Sequence, residues 1–288
     1  MTGVKKVAAI HDLSGFGRCS LTVIIPTLST LGIQVCPIPT AILSTHTDGF
    51  GNDFSFVDLT DSMKEYIKHW KTLNLKFDGI YSGFLGSENQ IEIISDFIDK
   101  FKTKNTLVVI DPVMADNGEL YQTMSNSMVE KMKKLIKKAN IITPNFTEAC
   151  YLLNETYKEK IEIKEIKNWL IRLTNEGPEI AIITSIPIER EKNTVIAYSK
   201  NDKRFWMISS EQIPAFYPGT GDIFSSIVTG RILNGDSLPV AIDRAVIFIK
   251  NAIKESFGFD YPHREGILLE KVLNNLNLPY TNSNYKLI

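Results

Sequence analysis

The sequence predicts a three-layer α/β/α fold with a mostly parallel central sheet and an antiparallel hairpin at its edge. Short apolar segments typical of buried strands alternate with longer segments that have the spacing of helices, about 3.6 residues per turn. Repeated strand–helix–strand units form parallel sheets with helices on both faces. Residues 194–198 and 205–208 flank the polar stretch 199–203, which is the pattern of a hairpin.

The predicted elements follow one another without a linker or an internal repeat, so we expect residues 1–288 to form a single domain. The predicted strands cover residues 4–10, 33–43, 77–81, 106–110, 139–143 and 180–184. The predicted helices cover residues 13–31, 59–73, 87–102, 128–138, 223–234, 238–257 and 267–276, with another helix opening at residues 144–148. Pro26 is expected to kink the first of these helices.

Composition limits the classes of partner. The chain has 288 residues, with 32 Lys and Arg against 33 Asp and Glu, so no net charge attracts nucleic acid or an anionic membrane. Its three cysteines form no CxxC pair, which argues against a disulfide framework or a structural zinc site and fits a reducing cytosol. No segment approaches the roughly 20 apolar residues of a membrane span, and the N-terminus lacks a signal-peptide pattern. We therefore expect a cytoplasmic protein with a small-molecule partner.

The segment from Pro218 to Ser226 holds two glycines and a carboxylate at the start of an apolar helix. A helix N-terminus has unpaired N–H groups and the positive end of the macrodipole, and Gly219 and Gly221 let a ligand approach the backbone. The pattern therefore favours a cradle for a phosphate. Asp222 either caps the helix or takes a proton from a nucleophile that attacks the phosphate, and spacing alone leaves both interpretations open.

Polar side chains recur where the predicted strands end. In a parallel sheet these ends lie on one edge, where a ligand crevice is expected. Each of these residues could instead be an ordinary helix cap or turn residue, and only their recurrence favours a site. They are Asp12, Thr47, Ser82, Asp111, Asn145, Glu148, Thr184 and Ser185.

Three other patterns carry less weight. Residues 15–20 resemble a dinucleotide fingerprint only superficially, because Ser20 replaces the third glycine and no acidic residue ends the second strand. Ser44, His46 and Asp48 have the residue types of a hydrolase triad, but they are too close in sequence for its geometry to be expected, and no Gly-x-Ser-x-Gly motif supports it. Phe216 and Tyr217, just before the glycine turn, could wall a flat ring, although packing is the favoured interpretation.

Taken together, five segments resemble the pyridoxal/pyridoxamine kinase (vitamin B6 kinase) family of the ribokinase-like superfamily, in the family's order and over nearly the whole chain. The segments are residues 44–47 (STHT), 82–87 (SGFLGS), 111–114 (DPVM), 143–148 (TPNFTE) and 219–222 (GTGD). The last three are shared with other branches, including the hydroxymethylpyrimidine kinases, whereas residues 44–47 point more specifically to the pyridoxal branch.

This resemblance implies ATP-dependent phosphorylation of the 5′-hydroxyl of pyridoxal, pyridoxine or pyridoxamine. Asp222 matches the catalytic base, and the N–H groups of Gly219, Thr220 and Gly221 would stabilise the transferring phosphoryl group. The resemblance also implies a homodimer and leaves a monovalent-cation requirement open. The remaining matches are Asp111 and Glu148 for Mg²⁺, partly through water; Asp111, Thr143, Asn145, Glu148, Thr184, Ser185 and Thr220 for ATP; and Ser44, His46, Thr47 and Phe84 for the vitamer.

Two positions depart from the family. Asp12 stands where the family usually has Ser, and Phe84 stands where it has Tyr. Asp12 adds a charge that could pair with a protonated pyridine nitrogen or with the amine of pyridoxamine, so we expect a preference for pyridoxamine or pyridoxine over pyridoxal. The alternatives are a kinase for hydroxymethylpyrimidine or another small alcohol, and a non-catalytic vitamer-binding protein.

Overall fold

The computed structural model describes residues 3–51, 53–281 and 283–288. The strands are β1 (Lys6–Phe16), β2 (Gln34–Thr45), β3 (Phe56–Asp58), β4 (Gly79–Ser82), β5 (Leu107–Ile110), β6 (Ala115–Asp116), β7 (Glu119–Leu120), β8 (Ile141–Ile142), β9 (Ile180–Ile186), β10 (Lys192–Ser199), β11 (Arg204–Glu211) and β12 (Lys286–Leu287). The α-helices are α1 (Leu21–Thr30), α2 (Thr60–Thr72), α3 (Glu88–Phe101), α4 (Asn126–Leu135), α5 (Phe146–Leu153), α6 (Ile163–Asn175), α7 (Thr220–Leu233), α8 (Leu238–Phe257) and α9 (Leu269–Val272).

Ten strands form one sheet in the order β12-β11-β10-β9-β8-β5-β4-β1-β2-β3. The six strands from β9 to β2 in this order pair in parallel. Both edges are antiparallel, through β10, β11 and β12 on one side and β3 on the other. The predicted mostly parallel sheet with an antiparallel edge hairpin is confirmed, and the second antiparallel edge is an addition.

Apolar side chains pack on both faces of this sheet. Successive residues of a strand point to opposite faces, and in β1 Val7 and Ala9 join one core cluster whereas Ala8 and Ile10 join the other. Helices α2 to α6 supply the second cluster, and α1, α7, α8 and α9 supply the first. The molecule therefore has the predicted three layers.

The predicted helix over residues 13–31 is wrong at its beginning. Strand β1 continues to Phe16, which pairs with Thr45, and the register shifts between His11 and Leu13. The helix begins only at Leu21 and keeps Pro26 inside it. Pairing with β2 therefore keeps residues 13–16 in the sheet, and the chain turns between Phe16 and Leu21 before the helix begins.

The predicted helix over residues 267–276 is also only partly present. Helix α9 spans four residues and is followed by a 3₁₀ turn over Leu273–Asn277. Its N-cap, Leu268, provides no side-chain hydrogen bond, and a short helix without a cap is marginal. In the described part of the chain, no helix has both the length and the apolar character that crossing a bilayer requires.

Candidate active site

The N-terminus of α7 lies at the carboxyl edge of the parallel strands. Its N-cap, Gly219, has φ 80°, and a Cβ at this position would lie 2.3 Å from the carbonyl oxygen of Arg18. Only glycine combines that backbone angle with that approach. Gly221 is exposed, and a Cβ there would meet no described atom within 4 Å. The first turn of α7 is therefore open to an anion.

Asp222 is the third residue of α7, and its carboxylate points towards β1 and the turn before α1. Its Oδ2 accepts a hydrogen bond from the N–H of Ser20 at 2.8 Å and lies 3.5 Å from the Cys19 Sγ. Its Oδ1 has no hydrogen bond among the described residues and lies 3.9 Å from the His11 Nδ1. The side chain thus does not cap α7. Burial raises the pKa of Asp222 to about 6, so the carboxylate is ionised at neutral pH yet more basic than a free one.

Asp111, directly after β5, is tied to the same helix. The Ser225 Oγ, one turn beyond Asp222, donates to Asp111 Oδ2 at 3.0 Å and lies 2.9 Å from the Thr143 Oγ1. Burial and the nearby charge of Asp222 raise the pKa of Asp111 to about 8. Helix α7 therefore brings two buried carboxylates from distant parts of the sequence next to each other.

Asn145 and Glu148 form a capping box at the start of α5. The Asn145 Oδ1 accepts from the Glu148 N–H at 2.8 Å, and the Glu148 Oε2 accepts from the Asn145 N–H at 2.8 Å. The Glu148 Oε1 accepts from the N–H of Met114 at 3.1 Å. Burial and the charge of Asp111 raise the pKa of Glu148. Both residues thus hold the loop after β8 in place, and Thr184 joins them through a parallel bridge with Asn145.

Asp12 lies on β1 and is also buried. Its Oδ1 accepts from the Ser20 Oγ at 2.6 Å, and its Oδ2 accepts from the Ser14 Oγ at 3.1 Å. Burial raises the pKa of Asp12, and its charge in turn contributes to the raised pKa of Asp222. Asp12 and Asp222 are therefore neighbours, connected by Ser20.

The segment at the end of β2 does not form a triad. The His46 Nε2 lies 2.7 Å from the Arg264 carbonyl oxygen, and its Nδ1 accepts from the Asp48 N–H at 3.2 Å. This pattern requires a neutral ring protonated at Nε2, and burial lowers the pKa of His46. The Ser44 Oγ accepts from the N–H of Ser55 at 2.9 Å. The side chains of Ser44 and His46 therefore hold the backbone of this loop. Thr47, in contrast, is exposed.

The aromatic residues around the site behave differently from one another. Tyr217 is buried and stacks on Tyr261 at 6.1 Å between ring centroids, as the packing interpretation predicted. Phe216 is 59% exposed and does not fit that interpretation. Phe84, in the loop after β4, is half-buried, so part of its ring surface faces solvent.

Four residues of the site were not singled out from the sequence: His11, Cys19, Ser20 and Ser225. His11 is fully buried between Tyr81 and Asp222, and neither ring nitrogen has a hydrogen-bond partner among the described residues. Ser225 follows Asp222 by three residues, so helical spacing in the glycine motif could have indicated it. Cys19 and Ser20 gave no such signal because the sequence placed them inside a helix.

Carboxyl groups without a basic partner dominate the assembled site. Among the described residues, no lysine or arginine forms an ion pair with Asp12, Asp111, Glu148 or Asp222. The described residues also include no group of three or more His, Cys, Asp or Glu side chains arranged to hold a metal ion by themselves. The oxygen ligands present are those that Mg²⁺ prefers, and Mg²⁺ usually keeps several waters and takes ligands from substrate phosphates. The donor set therefore fits Mg²⁺ held together with a phosphate.

Comparison with known proteins shows which family the chain resembles. The family model described as phosphomethylpyrimidine kinase matches residues 10–266. The pyridoxine kinase of Bacillus subtilis is 30% identical over 257 residues, which cover 84% of this chain and 81% of that protein.

Solved structures agree over the whole chain. A protein of Bacteroides thetaiotaomicron that is assigned to the phosphomethylpyrimidine kinases superposes with a TM-score of 0.97 and 52% identity, covering 100% of this chain and 99% of that one. An orthorhombic crystal form of the Bacteroides thetaiotaomicron protein, with pyridoxal, gives a TM-score of 0.96 and 53% identity, covering 99% of this chain and 100% of that one. The pyridoxal kinase of Lactobacillus plantarum gives a TM-score of 0.87 at 27% identity, covering 95% and 97%.

The expected resemblance to the pyridoxal kinases and their ribokinase-like fold is confirmed. The open N-terminus of α7, the Asp222 oxygen that has no hydrogen bond within the described part of the chain, and the match over residues 10–266 all lead to the same assignment. The chain belongs to the phosphomethylpyrimidine kinase family, whose members are kinases that transfer phosphate to an alcohol.

Proposed function

We propose that this chain transfers the γ-phosphoryl group of ATP to the 5′-hydroxyl of a B6 vitamer, with Asp222 as the general base. The observation that carries the proposal is the Asp222 carboxylate, which keeps Oδ1 free beside the open first turn of α7. The pyridoxal in the crystal of the Bacteroides thetaiotaomicron protein, 53% identical to this chain, supports a vitamer as the acceptor.

The reaction needs a proton acceptor and a site for developing negative charge. Asp222 Oδ1 accepts the hydroxyl proton while the alcohol oxygen bonds to the γ-phosphorus, and the bond from that phosphorus to the bridging oxygen of ATP breaks, which releases ADP. The N–H groups of Gly219, Thr220 and Gly221 stabilise the charge on the phosphoryl oxygens. A pKa of about 6 keeps Asp222 ionised at pH 7 and close enough to neutrality to act as a base.

Mg²⁺ is the metal that we propose for this reaction, held by Asp111 and, through water, by Glu148. When bound, it would neutralise charge on the ATP phosphates. The raised pKa values of both carboxyl groups show that their negative charge is poorly compensated within the protein. A divalent cation would remove that cost.

We assign the remaining phosphate contacts to residues at the neighbouring strand ends. Ser185, the last residue but one of β9, is exposed and has φ 55°. Thr184 is half-buried beside Asn145. The Thr143 and Thr220 hydroxyls already contact Ser225 and the Tyr217 carbonyl, so we propose that these two act in part by holding the loops that contact ATP.

The vitamer would lie between the ends of β1, β2 and β4. We propose that the half-buried ring of Phe84 covers the pyridine ring and that Thr47, with Ser44 and His46 behind it, borders the ligand. Asp12 has a hydroxyl donor on each oxygen and no basic partner among the described residues. It can therefore hold a cationic group, which supports the expected preference for pyridoxamine or pyridoxine over pyridoxal.

The test is ADP release measured with ATP and Mg²⁺ for each of the three vitamers and for hydroxymethylpyrimidine. We expect turnover with the vitamers, and a higher kcat/KM for pyridoxamine than for pyridoxal that Asp12→Ser abolishes. Turnover with hydroxymethylpyrimidine alone would instead favour that alternative, which the phosphomethylpyrimidine kinase match supports. Vitamer binding without any turnover would favour a non-catalytic binding protein.

Three further expectations from the sequence remain predictions. The continuous ten-stranded sheet supports a single domain over residues 1–288, which limited proteolysis would check. We expect a homodimer, which sedimentation equilibrium would check, and a cytoplasmic location, which fractionation would check. Activity in potassium and sodium buffers would decide whether a monovalent cation is required.

A further inference from the structure

The turn before α1 contains one serine that contacts two carboxylates of the site. The Ser20 Oγ donates to Asp12 Oδ1 at 2.6 Å, and the Ser20 N–H donates to Asp222 Oδ2 at 2.8 Å. Ser20 itself is 5% exposed. A single buried residue therefore connects the candidate substrate carboxylate with the candidate base, through its side chain on one side and its backbone on the other.

Ser20 has an unfavourable backbone conformation. Its φ is 52° and its ψ is −133°, and the N–H of Thr22 donates to the Cys19 carbonyl at 3.3 Å. Residues 19–22 thus form a β-turn with Ser20 at the first central position, and the angles are close to those of a type II′ turn, where glycine dominates. A serine stays in such a conformation only where other contacts hold it. Its hydroxyl bond to Asp12 is such a contact.

The same turn determines which oxygen of Asp222 is free. Oδ2 is occupied by the Ser20 N–H and faces the Cys19 Sγ, whereas Oδ1 has no hydrogen bond among the described residues and lies 3.9 Å from the His11 Nδ1. If the turn relaxed, the N–H would move away from Oδ2 and the carboxylate could rotate about its terminal torsion. Small misplacements of a reacting group can lower a rate by about 100-fold.

We propose that Ser20 is a positioning residue of the kinase reaction. Its N–H orients Asp222 so that Oδ1 receives the proton, and its hydroxyl bond to Asp12 keeps the turn in the conformation that this requires. The proposal rests on the proposed function, since it assigns the oxygen of Asp222 that acts as the base. It also makes Asp12 a partner of the base as well as a contact for the substrate.

Ser14 provides a matched control within the chain. Its hydroxyl also donates to Asp12, at 3.1 Å to the other oxygen, but Ser14 has no hydrogen bond to Asp222 among the described residues. Ser14→Ala and Ser20→Ala therefore remove the same kind of bond from the same carboxylate. Only the second substitution disturbs the residue that orients the base.

The experiment compares Ser20→Ala, Ser20→Gly and Ser14→Ala by steady-state kinetics on whichever alcohol the wild type phosphorylates. Alanine keeps the strain without the hydroxyl, so we expect kcat to fall about 10- to 100-fold. Glycine adopts the observed angles without strain and keeps the N–H in place, so Ser20→Gly should retain at least threefold more kcat than Ser20→Ala. Ser14→Ala should raise KM and largely retain kcat. Equal kcat values for the two Ser20 variants would overturn the proposal.

A second measurement does not depend on turnover. The pKa of Asp222, followed by ¹³C NMR of its carboxyl group, should rise in Ser20→Ala relative to Ser20→Gly, because the N–H bond stabilises the ionised form. The other groups that face Asp222 are the same in all variants: His11 and Asp12 on β1, Cys19 in the turn, Tyr81 on β4 and Asp111 after β5. An unchanged pKa in Ser20→Ala would also overturn the proposal. Absent turnover in the wild type would instead contradict the proposed function.

Discussion

The Asn145–Glu148 pair and Asp222 lie at the same edge of the sheet, and their carboxyl groups have different roles. Asn145 and Glu148 satisfy each other's backbone N–H groups in a capping box, and the second Glu148 oxygen accepts from Met114. Asp222 sits in the first turn of another helix but caps nothing, and one of its oxygens is unpaired among the described residues. A carboxylate that accepts a hydrogen bond on each oxygen holds a loop, whereas one with an oxygen left without a partner among the described residues can accept a proton from a substrate.

Asp222→Asn tests this difference and should have the largest effect on kcat. The amide has nearly the same shape and no basicity, so we expect kcat to fall by about 10²- to 10⁴-fold. ADP release at saturating vitamer and ATP measures it. Asp61→Asn is a matched control, because Asp61 is also an acidic residue in the first turn of a helix but is exposed on α2. A comparable loss in the control would mean that helix charge, not base catalysis, explains the result.

The pH dependence gives the next effect. The raised pKa of Asp222, about 6, predicts that kcat/KM falls about tenfold per unit as the pH decreases below 6. The same shift affects stability in the opposite direction, because a raised pKa in the folded state means that folding favours the protonated carboxyl group. Its contribution to the free energy of unfolding is fully present below the unfolded pKa near 3.8. It is lost as the pH rises through 6. Thermal melting should therefore find Asp222→Asn more stable than the wild type at pH 8 but not at pH 3.5. A stability difference that does not change with pH would contradict the assignment.

Sequence reasoning worked best where one periodicity dominated. The parallel strands, α3 with its Ser87 cap and the hairpin of β10 and β11 lie close to their predicted positions. The glycine motif gave the start of α7 because glycine at Gly219 is required by a close backbone contact. The sequence also predicted that Asp111 lies at the edge of the sheet that Asp222 faces, because the carboxyl ends of parallel strands share that edge.

The remaining part of the site depends on pairing across the sheet. Residues 13–20 are predicted to enter a helix, yet β2 pairs with the chain as far as Phe16 and a turn follows before α1. That error concealed Ser20, whose positive φ has no signature in the sequence because glycine would be the usual residue there. The burial of His11 between Tyr81 and Asp222 likewise depends on which strands are neighbours.

The capping box should respond to substitution through stability. Asn145→Ala removes the bond to the Glu148 N–H and leaves the Ala115 carbonyl without its partner, so we expect a loss of about 1 kcal/mol in the free energy of unfolding. Urea denaturation measures this loss. Ser125→Ala, which removes a cap bond to Met128 at the start of α4, is the matched control away from the site. The loss for Asn145→Ala should be at least as large as that of the control, and only Asn145→Ala should also raise the KM for ATP.

The smallest effect is expected for Cys19, whose Sγ lies 3.5 Å from Asp222 Oδ2. Burial and the charges of Asp222 and Asp12 raise the pKa of this thiol, so it stays protonated and can only donate a weak bond. Cys19→Ser keeps a donor in place, and its stronger hydroxyl bond should lower the pKa of Asp222 slightly and change kcat less than threefold. Cys36→Ser is the control, since Cys36 is half-buried on β2. A loss as large as that of Asp222→Asn would show that the thiol, and not the Ser20 N–H, orients the base.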